Sequence, residues 1–376
     1  MYFNFKLFRR ALTISLWERP FHVRRWFFTL FFTVLFLFFW MLVAVGRLLD
    51  SLFFRGFYKQ KVEAPVFIVA PPRSGTTLTQ NLMSLDDERF VHVKLYQTIF
   101  PSVSFQKAIH KLSRIDKKMG HPLGNLMSWV ERKCFGGWDN LHKMRLAQPE
   151  EDDAFFLYCF VSEAIFLLFP YVDELWEAGF PDHLPEDARR KVMRFYRSCL
   201  ERHLYVNGPR KTLLSKATQS SGAVDSLNVE FPDAKFITIV RHPYKSVASH
   251  VSLFWPVWVK HSPEILKTSQ NSKQYARLAV EWYRHLFEFR NRISPERYYC
   301  IDYRDLVSDP KSTMEKLYAH FGWQISDAYR LLLEDATSTQ REFRSSHKCS
   351  LEEFGLSEEW IQEQIGDVLD FYALER

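Results

Sequence analysis

The stretch VFIVAPPRSGTTL, residues 66–78, constrains this chain more than any other. Residues 66–70 are wholly apolar and rich in β-branched side chains, the composition of a strand buried on both faces. Pro71 and Pro72 stop it, Arg73, Ser74, Gly75, Thr76 and Thr77 turn the chain, and residues 78–85 read as an amphipathic helix. A strand, a tight turn and a helix N-terminus together make an anion site, because backbone N–H groups converge there and the helix dipole favours negative charge. Gly75 allows the backbone to approach an anion closely, and Ser74, Thr76 and Thr77 offer hydroxyl donors. The stretch predicts a phosphate cradle. The bland alternative is a turn whose Gly-Thr-Thr only caps a helix.

The Walker arrangement of nucleotide-binding loops places Lys and then Ser or Thr directly after its last Gly. Here Thr76 holds the Lys position, Ala70 holds the first Gly position, and the cation is Arg73, ahead of the glycine. The stretch instead resembles the 5′-phosphosulfate loop of sulfotransferases, which use 3′-phosphoadenosine 5′-phosphosulfate (PAPS). Further along, residues 236–240 (FITIV) read as a second buried strand, ended by Arg241, His242 and Pro243, with Pro243 suited to a first helical turn. Arg241 and Ser249 lie eight residues apart, so the intervening helix returns the Ser towards the strand end. That spacing resembles the family's 3′-phosphate site, where an Arg fork and a Ser hydroxyl grip the phosphate together. The alternative is an Arg salt-bridged at a strand terminus.

Residues 211–215 (KTLLS) read as a short strand, followed by Lys216, Ala217, Thr218, Gln219 and Ser220. Family members often carry Lys-x-Pro-x-His there. Thr218 and Ser220 depart from that pattern and a His is missing, whereas Lys216 matches. Lys216 is either an electrophile beside the transferring sulfuryl group or a surface lysine at a strand end. Residues 297–302 (RYYCID) read as a third strand, running into Tyr303, Arg304, Asp305 and Leu306, which resemble the family's Tyr-Glu-Asp-Leu segment. Asp302 ends that strand and has to be weighed as a magnesium ligand. Residues 344–356 (RSSHKCSLEEFGL) resemble the family's C-terminal stretch and either close over the 3′-phosphate or form a solvated loop.

The region between the first strand–helix unit and residue 210 reads as a helical insertion that builds an acceptor pocket. Within it, residues 155–169 predict a buried core helix, and residues 188–206 an amphipathic helix ended by Asn207, Gly208 and Pro209. His142 is followed by Pro149 and the run Glu150, Glu151, Asp152, Asp153. Four acids after a proline ordinarily form a solvated helix N-terminus. The functional reading is that Glu151 or His142 removes the proton of an acceptor hydroxyl. The run resembles the corresponding stretch of bacterial membrane-associated and lipid-modifying members of the family.

Residues 26–46 carry no charge over 21 residues, about 30 Å as a helix, the thickness of a hydrocarbon core. Trp26, Trp40, Arg24, Arg25 and Arg47 resemble interfacial anchors. The expected organisation is a basic amphipathic surface segment at 1–25, a single transmembrane helix at 26–46, a juxtamembrane linker at 47–64 and a catalytic domain at 65–376, with its insertion at about 96–210. A buried hydrophobic helix and a hairpin-like or monotopic insertion are the alternatives. Basic residues flank the run on both sides, giving a slight preference for the cytoplasmic face. The net charge of +6 suits anionic ligands or an anionic membrane surface, and nucleic acid is not implied. Five scattered cysteines with no CxxC predict neither a zinc site nor a disulfide scaffold.

The resemblance implies an α/β, P-loop-like fold: a parallel sheet of about five strands flanked by helices. It implies in-line transfer of a sulfuryl group from PAPS to a hydroxyl of a lipid or membrane-proximal glycan, leaving the bisphosphate PAP, with no metal. Arg73 and residues Ser74, Gly75, Thr76, Thr77 and Leu78 would hold the 5′-phosphosulfate, and Arg241 with Ser249 the 3′-phosphate. Two other classes compete: a magnesium-dependent P-loop kinase, and a catalytically inactive membrane-tethered nucleotide-binding protein.

Overall fold

A computed structural model describes residues 1–71, 73–135, 146–340 and 349–374. Its centre is a five-stranded sheet of β1 (Val66–Ile68), β2 (Phe90–Val91), β3 (Thr212–Lys216), β4 (Lys235–Val240) and β5 (Tyr298–Asp302), in the order β2-β3-β1-β4-β5. Every neighbouring pair is parallel. Parallel strands are covered on both faces, which is why their sequences read as unbroken apolar runs. Phe67 and Phe236 pack on one face with Tyr196, Leu200 and Phe231. Val66, Ile68, Ile237 and Ile239 pack on the other with Leu306, Leu317 and Tyr318. The expected sheet of about five strands is present. β2, two residues long, is too short for a periodicity to be read.

From β1 the chain crosses to β2 and β3 on one side, then to β4 and β5 on the other. The carboxyl end of β1 is therefore the switch point of the topology, where open parallel sheets hold their ligands. The register sets Ile68 of β1 opposite Lys216 of β3 and Ile237 of β4, so β1 and β3 end together while β4 runs on to Val240.

The insertion differs from expectation in one place. Residues 155–169 are not one helix but two 3-10 segments, Asp152–Cys159 and Glu163–Leu167, broken where Phe160 turns left-handed at φ 55°. Glu163 explains the break. Its buried carboxylate is claimed by His250 at 2.6 Å and by the Tyr275 hydroxyl, and Ser162 caps the second segment by accepting from the Ala164 N–H. The amphipathic helix expected at 188–206 spans Glu186–Asn207, with Gly208 at its end.

At the N-terminus a single helix runs over Val23–Phe53, long and apolar enough by length and composition to cross a membrane. This helix runs through both positions 25 and 46, where the sequence suggested changes of segment. Phe3, Leu7, Ala11 and Ile14, on the segment expected to lie on a membrane surface, are buried against Phe160, Phe169, Tyr171 and Val172. Residues 47–53 continue the helix, and Phe57 of the expected linker is fully buried with the Arg202 guanidinium 3.8 Å from its ring centroid. Periodicity reports which face of a helix is apolar, not what covers it.

Candidate active site

Gly75 sits at φ 96° as the N-cap of the helix Thr76–Ser84. A side chain there would be strained by the backbone and would lie 3.1 Å from both Leu306 Cδ2 and Tyr303 Cδ2. Arg73 is also left-handed, at φ 65°, a conformation that costs a non-glycine residue on the order of 1 kcal/mol. The two positive angles curl the chain so that the amides of Thr76, Thr77 and Leu78, which have no carbonyl one turn earlier, open the helix towards the sheet end. Ser74 is fully buried beneath this loop and Thr77 is exposed at its mouth.

Three cations arrive at the same place from the three central strands: Arg73 after β1, Lys216 at the end of β3 and Arg241 after β4. Arg241 Nη1 donates to the Arg73 carbonyl at 2.5 Å, and Arg73 Nε donates to Ser249 Oγ at 3.1 Å. The expected phosphate residues are brought together, but crosswise, since Ser249 meets Arg73 and not Arg241. Burial, and next the neighbouring Arg241, hold the Arg73 guanidinium below its usual pKa. Two guanidinium groups held this close, one of them desolvated, are suited to receive a polyanion.

Sequence reasoning missed how Arg241 is fixed. Its guanidinium lies 4.4 Å from the Tyr303 ring centroid, and its carbonyl accepts from the Tyr283 hydroxyl at 2.8 Å. Tyr303 touches both phosphate motifs. The resemblance around residues 303–306 was the signal, but it pointed to the acid in that segment and not to the ring. Asp302, weighed as a magnesium ligand, caps its own helix and is bound by Arg304 at 2.6 Å.

Lys216 is 1% exposed, so it is not a surface lysine. Its Nζ stands 3.4 Å from Thr77 Oγ1, 3.5 Å from Glu151 and 3.8 Å from Glu150, linking the loop to the acidic run. That run is not a solvated helix N-terminus. Asp152 is 1% and Asp153 0% exposed, and Glu151 alone of the four is more than a tenth exposed. Asp152 accepts from Tyr196 at 2.8 Å and from Ser215 at 2.6 Å; burial pushes its carboxyl up to about 7. Asp153 accepts from the Ser220 amide at 3.1 Å. Burial first, then the nearby Glu151 and Asp152 charges, raise it well above the carboxylate range. Ser220, where the family pattern has His, is thus spent on holding Asp153. His142 lies outside the described residues, as do residues 344–348 of the C-terminal stretch; Cys349 is close enough to Arg73 to affect its charge.

The sequence profile of the sulfotransferase family matches residues 65–327, more than half of the chain. The omega-hydroxy-beta-dihydromenaquinone-9 sulfotransferase Stf3 of Mycobacterium tuberculosis is 24% identical over 372 residues, covering 94% of this chain and 86% of that protein. The protein of the same name from Mycobacterium bovis matches to the same extent. In fold, the chain is similar to the crystal structure of sulfotransferase STF1 from Mycobacterium tuberculosis, with TM-score 0.70 and 19% identity over 96% of this chain and 91% of that one. STF9 from Mycobacterium avium gives TM-score 0.68 and 20% identity over 86% and 80%.

Proposed function

Because the chain belongs to the sulfotransferase family, we propose that it moves a sulfuryl group from PAPS to a hydroxyl of a lipid held at the membrane. The observation that carries this is the meeting of Arg73 and Arg241 at the end of the central strands, beside an open helix N-terminus. A nucleotide with phosphates at both 3′ and 5′ positions offers one anionic group to each of two such cations.

PAPS, when bound, brings the sulfuryl group and a phosphate leaving group. Arg73 and the amides of Thr76, Thr77 and Leu78, with Ser74, hold the 5′ end and take up the charge that develops on the leaving phosphate. Arg241, stacked on Tyr303, and Ser249 hold the 3′ end. Glu151, tethered through Lys216 to Thr77, receives the acceptor's proton as the acceptor oxygen bonds to sulfur. His142 is the second candidate for that proton. Lys216, 3.5 Å from Glu151, faces the transferring group.

The lipid acceptor is supported by the relative Stf3, whose name specifies a menaquinone derivative, and by the apolar N-terminal helix. Labelled PAPS is to be offered with membrane lipid extract, with soluble phenols and with glycans. Label entering only lipid supports the reading, and label entering only soluble acceptors removes the lipid assignment. Titration with PAP and with ATP, each with and without magnesium, tests the donor. Magnesium-independent binding of PAP in preference to ATP is expected, and the reverse result restores the kinase.

A further inference from the structure

The helix Val23–Phe53 is docked along nearly its whole length by one stripe of residues at helical spacing. Arg25, 1% exposed, donates to the Ser15 carbonyl at 3.0 Å and pairs with Glu264. Thr29 Oγ1 and Ser15 Oγ share a hydrogen bond of 2.8 Å, and Trp40 Nε1 donates to the Tyr158 carbonyl at 3.1 Å. Gly46 lies so close to Phe105 that a Cβ would come within 2.6 Å of its ring. Arg47 reaches Ser198 at 2.8 Å, and buried Asp50 pairs with Arg202 at 2.9 Å and accepts from the Val103 and Ser104 amides. From Arg25 to Asp50 this stripe runs about 37 Å.

A crossing helix must carry its two ends to opposite sides of a hydrocarbon core of about 30 Å. Here the segment before the helix, through Phe3, Leu7, Ala11 and Ile14, and the segment after it, through Phe57, are built into the same folded body. A crossing would drag that body, with its buried ion pairs, into lipid. The faces turned away from the stripe are nonetheless apolar and bare. Phe27 is 62%, Val34 68% and Phe53 72% exposed, and Phe31, Phe38, Met41, Val45 and Leu48 are exposed with them. Cations frame this surface: Lys6 and Arg9 are exposed on the helix Phe5–Thr13 that runs beside it, and Arg24 at one end. At the other, the helix Val103–Lys118, packed on the apolar helix through Phe105, exposes Lys107, Lys111, Arg114, Lys117 and Lys118 around Leu112 and Ile115.

We propose that this helix does not cross the membrane but lies in the plane of one leaflet, its stripe holding the catalytic body and its bare faces sunk among the acyl chains of an anionic bilayer. A wide apolar face ringed by Lys and Arg is the pattern of such interfacial helices. The inference stands independently of the reaction assigned to the cleft.

The full chain is to be reconstituted with phosphatidylcholine vesicles, with and without phosphatidylglycerol. Phe27, Phe38 and Phe53 are replaced in turn by a fluorescent amino acid and quenched by nitroxides fixed at headgroup or chain-end depth. Equal, shallow depths at all three positions are expected, with an N-terminal tag and the catalytic body both digested by protease from outside the vesicle. Deep quenching at position 38 with shallow quenching at 27 and 53, and one end protected, would establish a span and overturn the proposal. Absence of quenching together with a stable dimer in solution would overturn it in favour of a second copy covering the face. Joint replacement F31E, V34E and F38E is expected to lower vesicle co-sedimentation at least about tenfold, with PAP binding within about twofold of the parent. Retained sedimentation would sink the proposal.

Discussion

The two sides of the candidate site handle like charge in opposite ways. On one side Arg73 and Arg241 stand together, held by a backbone carbonyl, a serine and an aromatic face. On the other, Asp152 and Asp153 turn inward and meet Tyr196, Ser215 and Ser220, while Glu151 keeps an outlet. Asp152 has both oxygens bonded within the protein, whereas Glu151, the acid proposed to take the proton, is the most exposed of the run.

The sharpest way to break this contrast is Glu151→Gln. It is expected to lower kcat by about 10²–10⁴ while PAP affinity stays within about twofold; if Glu151→Gln is nearly silent, the proton passes to another group and His142 becomes the candidate. Next, Arg73→Ala should lower kcat/KM for PAPS by about 10²–10³, and Arg241→Ala should raise the Kd for PAP by about 10–100-fold, measured by calorimetry. If either change leaves PAP binding intact, the two cations do not share one ligand.

A smaller effect separates the inner acids from the outer one. With its folded pKa near 7 against an ordinary 3.8, Asp152 contributes most to stability below about pH 4, and that contribution is lost as pH rises through 7. The ceiling is on the order of 4 kcal/mol. Asp152→Asn should therefore flatten the dependence of Tm on pH between about 4 and 7, read by calorimetric scans of both proteins. An unchanged slope would show that Asp152 is ionised when buried. The smallest effect is expected for Asp302→Asn, whose paired and partly exposed carboxylate should change activity by less than about threefold, with or without magnesium. A large magnesium-dependent loss would return Asp302 to the chemistry.

Residues 66–78 and 236–249 were legible because each packs a strand, a turn and a helix start into consecutive residues. Local chemistry there decides local structure. The acidic run was only half legible. Its composition fits a solvated helix start, and what buries Asp152 and Asp153 is contributed by Tyr196, Ser215 and Ser220, 44 to 67 residues away in sequence. Tyr303 went unnoticed for the same reason, since its role depends on Arg241 from another strand. At the N-terminus, residues 26–46 announced an apolar helix correctly. That Gly46 and Asp50 face protein was hidden, because their partners Phe105 and Arg202 lie far along the chain.

The indole of Trp40 grips the carbonyl of Tyr158, six residues beyond Asp152 on one short turn. The greasy helix and the segment carrying the acidic run are thus bolted back to back. An ill-fitting detergent coat around that helix should slacken the turn, slowing turnover while nucleotide still binds, so the choice of amphiphile becomes a kinetic variable and not only a matter of extraction.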